Sequence, residues 1–247
     1  MAGHSLALCG AAGGVGTTRI TLETANVIAK NGYDVVVLDA AFGTQGLARY
    51  VPGTIVPDMT DRCLSDEPLM DAFIELPVSN GRLAICPAHA PFERLARAKT
   101  PVASIRFEDR IAEAMEQFDF VLIDTPPVDD NQAIAVVTTV NQTILLCDAG
   151  RAHAAIPLMK DRIDDLSGTI ECVWITDATS HSEGEHCLPW TASPFPATDS
   201  DWQFVTALST ATDSILPVDI SIDSNRGLLD QIRTQVQRLK LAGNRLS

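Results

Sequence analysis

The 247-residue sequence predicts an α/β fold, a doubly wound and mainly parallel sheet with helices on both faces. Apolar, β-branched runs alternate with stretches of helical length, and a glycine-rich turn joins the first run to the first helix. Runs that are apolar on both faces are those of strands buried on both faces, as in a parallel sheet covered by crossover helices.

Taken in order, residues 5–9 form the first strand, and the turn leads into a helix over 18–30 that Asn31-Gly32 stops. The run YDVVVL at 33–38 is the second strand and completes one βαβ unit. Further strands follow at 82–86 (RLAIC), 118–123 (FDFVLI), 142–147 (QTILLC) and 172–176 (CVWIT), with helices at 107–117, 131–139 and 154–166. Residues at about 180–203 carry three prolines and many small polar residues without periodicity, the composition of an irregular surface loop. A short edge strand at 214–217 and a C-terminal helix at about 226–241 complete a single domain over 1–247.

Composition narrows the function. With 32 acidic against 18 basic residues the net charge is -14, which argues against direct contact with nucleic acid. The acidic surface, the preference for Arg over Lys and the many small residues resemble proteins of salt-loving organisms and point to a halophilic archaeon. At molar salt the Debye length is about 3 Å, so only close ion pairs act there. Cys9, Cys86, Cys147 and Cys172 fall in strand-like runs and read as reduced core residues. No Cys-x-x-Cys occurs, and His186-Cys187 has no second ligand pair at zinc-site spacing. Without a leader pattern or a long uninterrupted apolar stretch, a cytoplasmic protein is expected.

The chemistry concentrates in GAAGGVGTTRIT, residues 10–21. Successive backbone N–H groups and a helix N-terminus converge on an anion in such a loop, and glycine lets the chain approach closely. Gly13, Gly14 and Gly16, with Val15 and Thr17 between and after them, supply that geometry for a nucleotide, and Thr18 stands where a hydroxyl meets Mg²⁺. The position that usually carries lysine is Thr17. A bare strand-to-helix turn is the alternative; Asp39 and Asp124, each at the end of a predicted strand, favour a binding site.

The chain resembles the ParA and MinD branch of P-loop ATPases. Ala11-Ala12-Gly13-Gly14-Val15-Gly16-Thr17-Thr18-Arg19 aligns with that family's loop, Asp39 and the following AAFGTQGL with its first switch, FDFVLIDTPP at 118–127 with its Walker B strand, and ILPVD at 215–219 with the segment near the adenine. The resemblance implies ATP or ADP with Mg²⁺, Thr18 as a direct metal ligand, and Asp39 and Asp124 holding metal-bound waters. It also implies the departures: Ala12 and Thr17 replace two lysines, Ala41 a second Asp, and Val128 a glycine, all concerned with the γ-phosphate, hydrolysis or a dimer switch. Asp177, after the strand at 172–176, is a candidate for reading the base, adenine or guanine.

These readings imply a MinD/ParA-like nucleotide-binding protein with a degenerate site, regulatory or positioning in role, for example in cell division or partitioning, and at most a slow ATPase. The alternative is a pseudo-ATPase scaffold that binds a protein partner without nucleotide. A homodimer or an unidentified protein partner is implied in either case. Arg19 lies a turn into the helix and by spacing faces outward, a weak substitute for lysine. Asp129-Asp130 reads as a solvated acidic loop before a second metal site. The helix at 226–241 has one apolar face, which packs on the sheet in the favoured reading and docks on a membrane in the other. Trp190 and Trp202 flank the irregular loop as partner contacts or partly buried anchors.

Overall fold

The computed structural model describes residues 3–51, 53–193 and 201–220. Eight strands form one sheet in the order β3-β4-β2-β5-β1-β6-β7-β8. They are β1 (His4–Gly10), β2 (Asp34–Asp39), β3 (Ile74–Leu76), β4 (Arg82–Cys86), β5 (Phe120–Thr125), β6 (Gln142–Asp148), β7 (Cys172–Thr176) and β8 (His186–Leu188). All neighbours pair in parallel except β3 with β4. The predicted doubly wound, mainly parallel sheet is the observed one.

Period-two alternation sorts the strand side chains between two faces. Leu6, Leu8, Val35, Val37, Leu122 and Trp174 pack beneath α1 (Thr17–Lys30) and the last described helix. On the other face Ala7, Val36, Leu38 and Ile123 meet α2 (Met59–Leu64) and α4 (Pro101–Met115), near the short α3 (Phe92–Ala98). Cys9, Leu145, Cys147 and Ile175 meet α5 (Asn131–Thr139) and α6 (Ala152–Asp165) on that face. Cys9, Cys63, Cys86, Cys147 and Cys172 are buried, and burial holds all of these thiols above their ordinary pKa, Cys9 at about 12.

Three expectations are corrected. The stretch at 180–203 is not wholly irregular: His186–Leu188 adds an eighth strand beside β7. The three residues of this strand, just ahead of Pro189, are too few to display a period. Residues 214–217 are no strand, because Ile215 closes α7 (Trp202–Ile215), whose Phe204, Leu208, Ala211 and Ile215 bury one helical stripe. The proline that follows the last strand is therefore Pro189, not Pro217, and ILPVD does not occupy the place the resemblance gave it. Finally, α4 starts six residues ahead of 107, where the Thr100 side chain accepts from Ala103 N and Pro101 takes the first helical turn. The helix expected at 226–241 lies outside the described residues. Among those described, no helix is long and apolar enough to cross a membrane.

A buried ionic knot fixes the loops beyond β2 and β4. Asp58 is fully buried and accepts from Thr60 Oγ1 at 2.6 Å, Asp61 N at 3.0 Å, His89 N at 3.1 Å and Arg94 Nη2 at 2.6 Å. It caps α2, and its Asp61 partner returns the bond to the Asp58 N–H in a capping box. Asp58→Ala removes the cap of α2 and the acceptor of the His89 N–H and leaves Arg94 paired with Asp61 alone, at a cost of about 3 kcal/mol. A Tm lowered by roughly 6–12 °C in calorimetry is expected, with a smaller loss for Asp58→Asn; an unchanged Tm for Asp58→Ala contradicts this.

Candidate functional site

The carboxyl ends of β1, β2, β5, β6 and β7 lie together on one edge of the sheet, where open α/β sheets bind ligands. β1 runs straight into the glycine loop, and α1 begins at Thr17. Gly14 and Gly16 hold φ of 77° and 88°, a conformation that a Cβ strains, so the loop can be drawn this tightly only with glycine there. Gly13, Gly14 and Gly16 are exposed while Val15 is buried beneath them, and the Val15 carbonyl accepts from Thr176 Oγ1 on β7 at 3.3 Å. Thr17 turns its hydroxyl back over Gly10; a Cβ at Gly10 would stand 2.7 Å from it.

Thr18 points toward β5. A Cβ on Gly46 would stand 2.6 Å from Thr18 Oγ1, so only a glycine lets the loop after β2 come this close to the helix start. That loop is held from both sides. Ala41 N and Ala88 N donate to the two oxygens of Asp39 at 2.9 and 3.1 Å. Gln45 and Ala90 exchange hydrogen bonds in both directions, Nε2 to O at 3.1 Å and N to Oε1 at 3.0 Å.

Asp39 and Asp124 are register partners on adjacent strands, and both are buried. Asp39 lies well above its ordinary pKa, first through burial and then through the charge of Asp124, with its backbone donors opposing. Asp124 is pushed up to about 6 by burial, and the neighbouring Thr18 hydroxyl offsets part of the shift. Neither Asp124 oxygen meets hydrogen-bond geometry with any described group. A buried carboxylate left like this costs several kcal/mol, so it holds a proton or meets a cation. Two carboxylates beside a hydroxyl suit a hard, oxygen-seeking cation. Among the described residues no three His, Cys, Asp or Glu side chains converge. Mg²⁺ asks for less than that, one or two carboxylates together with waters and substrate phosphates.

The sequence-predicted residues thus come together in part. Gly13 through Thr18, Asp39 and Asp124 share one edge, and Asp177, exposed with φ of 60°, lines a pocket with Gly14, Val15 and Gly16 at the end of β7. Arg19 departs from its expected position. It turns into that pocket, its guanidinium 5.4 Å from the centre of the Phe204 ring. Of the substituted positions, Ala41 and Val128 are buried and Ala12 packs partly buried against the core. Asp130 caps α5 through Ala133 N at 3.0 Å and pairs with Lys99 at 3.2 Å, which gives the acidic loop a structural task.

Sequence reasoning missed Arg151, Thr176 and Phe204. Arg151 Nη1 donates to the Gly13 carbonyl at 2.8 Å while Nε bonds Asp148. The Gly13 contact spans 138 residues, and its only local sign was a basic residue just past a strand that borders β1. Phe204 was hidden by the missed helix α7.

Comparison with known proteins agrees with this architecture. Residues 3–169 match the family model described as AAA domain. An uncharacterized ATP-binding protein of Methanocaldococcus jannaschii is 26% identical over 119 residues, 47% of this chain and 41% of that one. A second protein of that organism is 22% identical over 62% of each chain, so the chain spans about half the length of the curated relatives it matches. Three solved structures share the fold. The septum site-determining protein MinD with Mg-ADP from Pyrococcus horikoshii has a TM-score of 0.69 at 14% identity, over 92% of this chain and 98% of that one. A ParA family ATPase from Chlorobium tepidum has 0.67 at 18%, over 85% and 98%. The MinC:MinD complex of Aquifex aeolicus has 0.69 at 15%, over 89% and 98%. With the family model covering well over half of its length, a glycine loop at the end of β1 and an acidic residue at the ends of β2 and β5, the chain belongs to the AAA domain family, and it shares the fold of the MinD and ParA structures.

Proposed function

We propose that this chain binds ATP or ADP with Mg²⁺ on the Gly13–Thr18 loop and acts as a nucleotide-dependent regulator or positioner of a protein partner, with slow or no hydrolysis. The observation that carries this reading is the unpartnered Asp124 carboxylate, buried beside Asp39 and facing Thr18 at the start of α1. Thr18 would hold the metal directly, with Asp39 and Asp124 holding its waters. Mg²⁺ supplies charge neutralisation to the phosphates when bound. The backbone N–H groups of Gly13 to Thr18 receive phosphate oxygens, and the exposed flank of Gly13, Gly14 and Gly16 leaves them room to do so.

Slow turnover follows from charge. Phosphoryl transfer rests on positioning and on neutralising the transferred group, and Ala12, Thr17 and Ala41 bring no cation or water-orienting acid to it. Arg151 does not restore the lysines, because it is spent on the Gly13 carbonyl and on Asp148. Such a protein signals by occupancy more than by flux. Its reader is a partner protein, as MinC is bound to MinD in the Aquifex complex, or a second copy of the chain.

Calorimetric titration at high salt with Mg²⁺ is expected to give saturable binding of ADP or ATP that falls at least tenfold in Asp124→Ala. No heat and no melting shift with ATP, ADP or GTP would favour the nucleotide-free scaffold. Phosphate release is expected below about 0.1 per second, under the common enzyme range; turnover at 1 per second or faster contradicts the account of the missing lysines.

The raised pKa values also set a pH dependence. The folded state keeps protons that the unfolded chain releases above the ordinary value of 3.8. Stability contributed by Asp124 is therefore fully present below 3.8 and lost as pH rises through about 6. In metal-free urea titrations between pH 4 and 7, Asp124→Asn should gain stability relative to wild type as pH rises. A difference that stays flat or reverses counts against a proton-holding Asp124.

A further inference from the structure

Arg19 is an arginine without an acceptor. Its Nε and Nη2 are sealed from solvent and meet no hydrogen-bond partner, in a chain carrying 32 carboxylates. One face of its guanidinium lies over Phe204, so the remaining donors are the in-plane N–H groups along its edge. The pocket that Arg19 lines also holds Gly14, Val15 and Gly16, and on the β7 side Thr176 and Asp177. A buried donor with nothing to bond costs free energy until the side chain swings to meet an acceptor. An aromatic base laid over the ring would not satisfy in-plane N–H groups, whereas phosphate oxygens match the fork in shape and charge.

We infer that Arg19 is a phosphate-binding, specificity-determining residue: it takes the inner phosphates of a nucleoside diphosphate, so the site favours ADP over ATP. This rests on the nucleotide-binding reading and deepens it. The cation enters from the residue after Thr18, on the pocket side of α1, while the loop brings no lysine for the outermost phosphate. A third phosphate adds negative charge, and Ala12 and Thr17 bring no cation to it. Asp177, on the wall contributed by β7, is left to the nucleoside end, because a carboxylate repels the phosphates. Phe204 is a positioning residue that holds the guanidinium beside the pocket.

The test is calorimetric titration of the full chain with ADP, ATP and pyrophosphate, each with Mg²⁺, on wild type, Arg19→Met, Arg19→Lys and Asp124→Ala. Methionine keeps an apolar stem over Phe204 without the charge, and ligand-free melting checks that the fold is retained. Expected are ADP binding at least as tight as ATP in wild type, a loss of tenfold to a hundredfold for ADP in Arg19→Met, and a smaller loss in Arg19→Lys. Pyrophosphate binding should fall in step with ADP, which assigns the contact to phosphate and not to the base. If Asp124→Ala weakens ADP while Arg19→Met stays within twofold of wild type, the nucleotide reading stands and this inference fails. ATP bound ten times more tightly than ADP, or pyrophosphate binding untouched by Arg19→Met, also overturns it. A wild type that binds none of the three ligands overturns both readings.

Discussion

The site depends on two carboxylates held where water does not reach them. Asp39 and Asp124 end neighbouring parallel strands in register, and the sheet gives them no freedom to part. Burial raises both pKa values, and the charge of Asp124 raises that of Asp39 further, which favours a proton on the apo pair. The surroundings are built to bear this. Ala41 and Ala88 donate to Asp39, the Gln45–Ala90 pair and the Asp58 knot pin the loops that carry those donors, and Gly46 lets the loop close on Thr18. Asp124 has no backbone donor and only the Thr18 hydroxyl beside it, and this asymmetry makes its side of the pair the proposed place for an incoming cation.

The glycine loop has a different balance of charge from the one its lysine-free sequence suggests. Basic groups reach it from elsewhere in the chain. Arg151 comes from the turn after β6 and clamps the Gly13 carbonyl, and Arg19 comes from α1 and faces the pocket. The first is already engaged, so it stiffens the loop; the second has buried Nε and Nη2 groups with no acceptor, the basis for its proposed role toward a ligand. Positive charge has moved from the outermost phosphate position toward the nucleoside side. On the proposed reading, a site so arranged is suited to retaining a nucleotide, not to cleaving it.

Much of this was legible in the sequence where local pattern and tertiary role coincide. The glycine spacing, the apolar runs of β1, β2 and β5 and the aspartates that end two of them follow from burial on both faces and a turn that only glycine permits. Legibility ended where a signal was short or non-local. β8 has three residues, and α7 carries Ser, Thr and Ala between its apolar positions, which blurred its period. The outward placing of Arg19 assumed an isolated helix. In the fold, α7 packs beside α1 and Phe204 draws the guanidinium inward. Arg151 was invisible because its partner lies 138 residues away.

The most direct test of the central claim is a crystal structure grown with ADP and Mn²⁺, using anomalous scattering to locate the metal. The account predicts a single strong anomalous peak beside Thr18 on the Asp39–Asp124 side, with the diphosphate on the loop formed by Gly13 to Gly16. ADP seated on that loop with no metal near the aspartates, or metal bound elsewhere while Asp124 stays protonated and unligated, would contradict it.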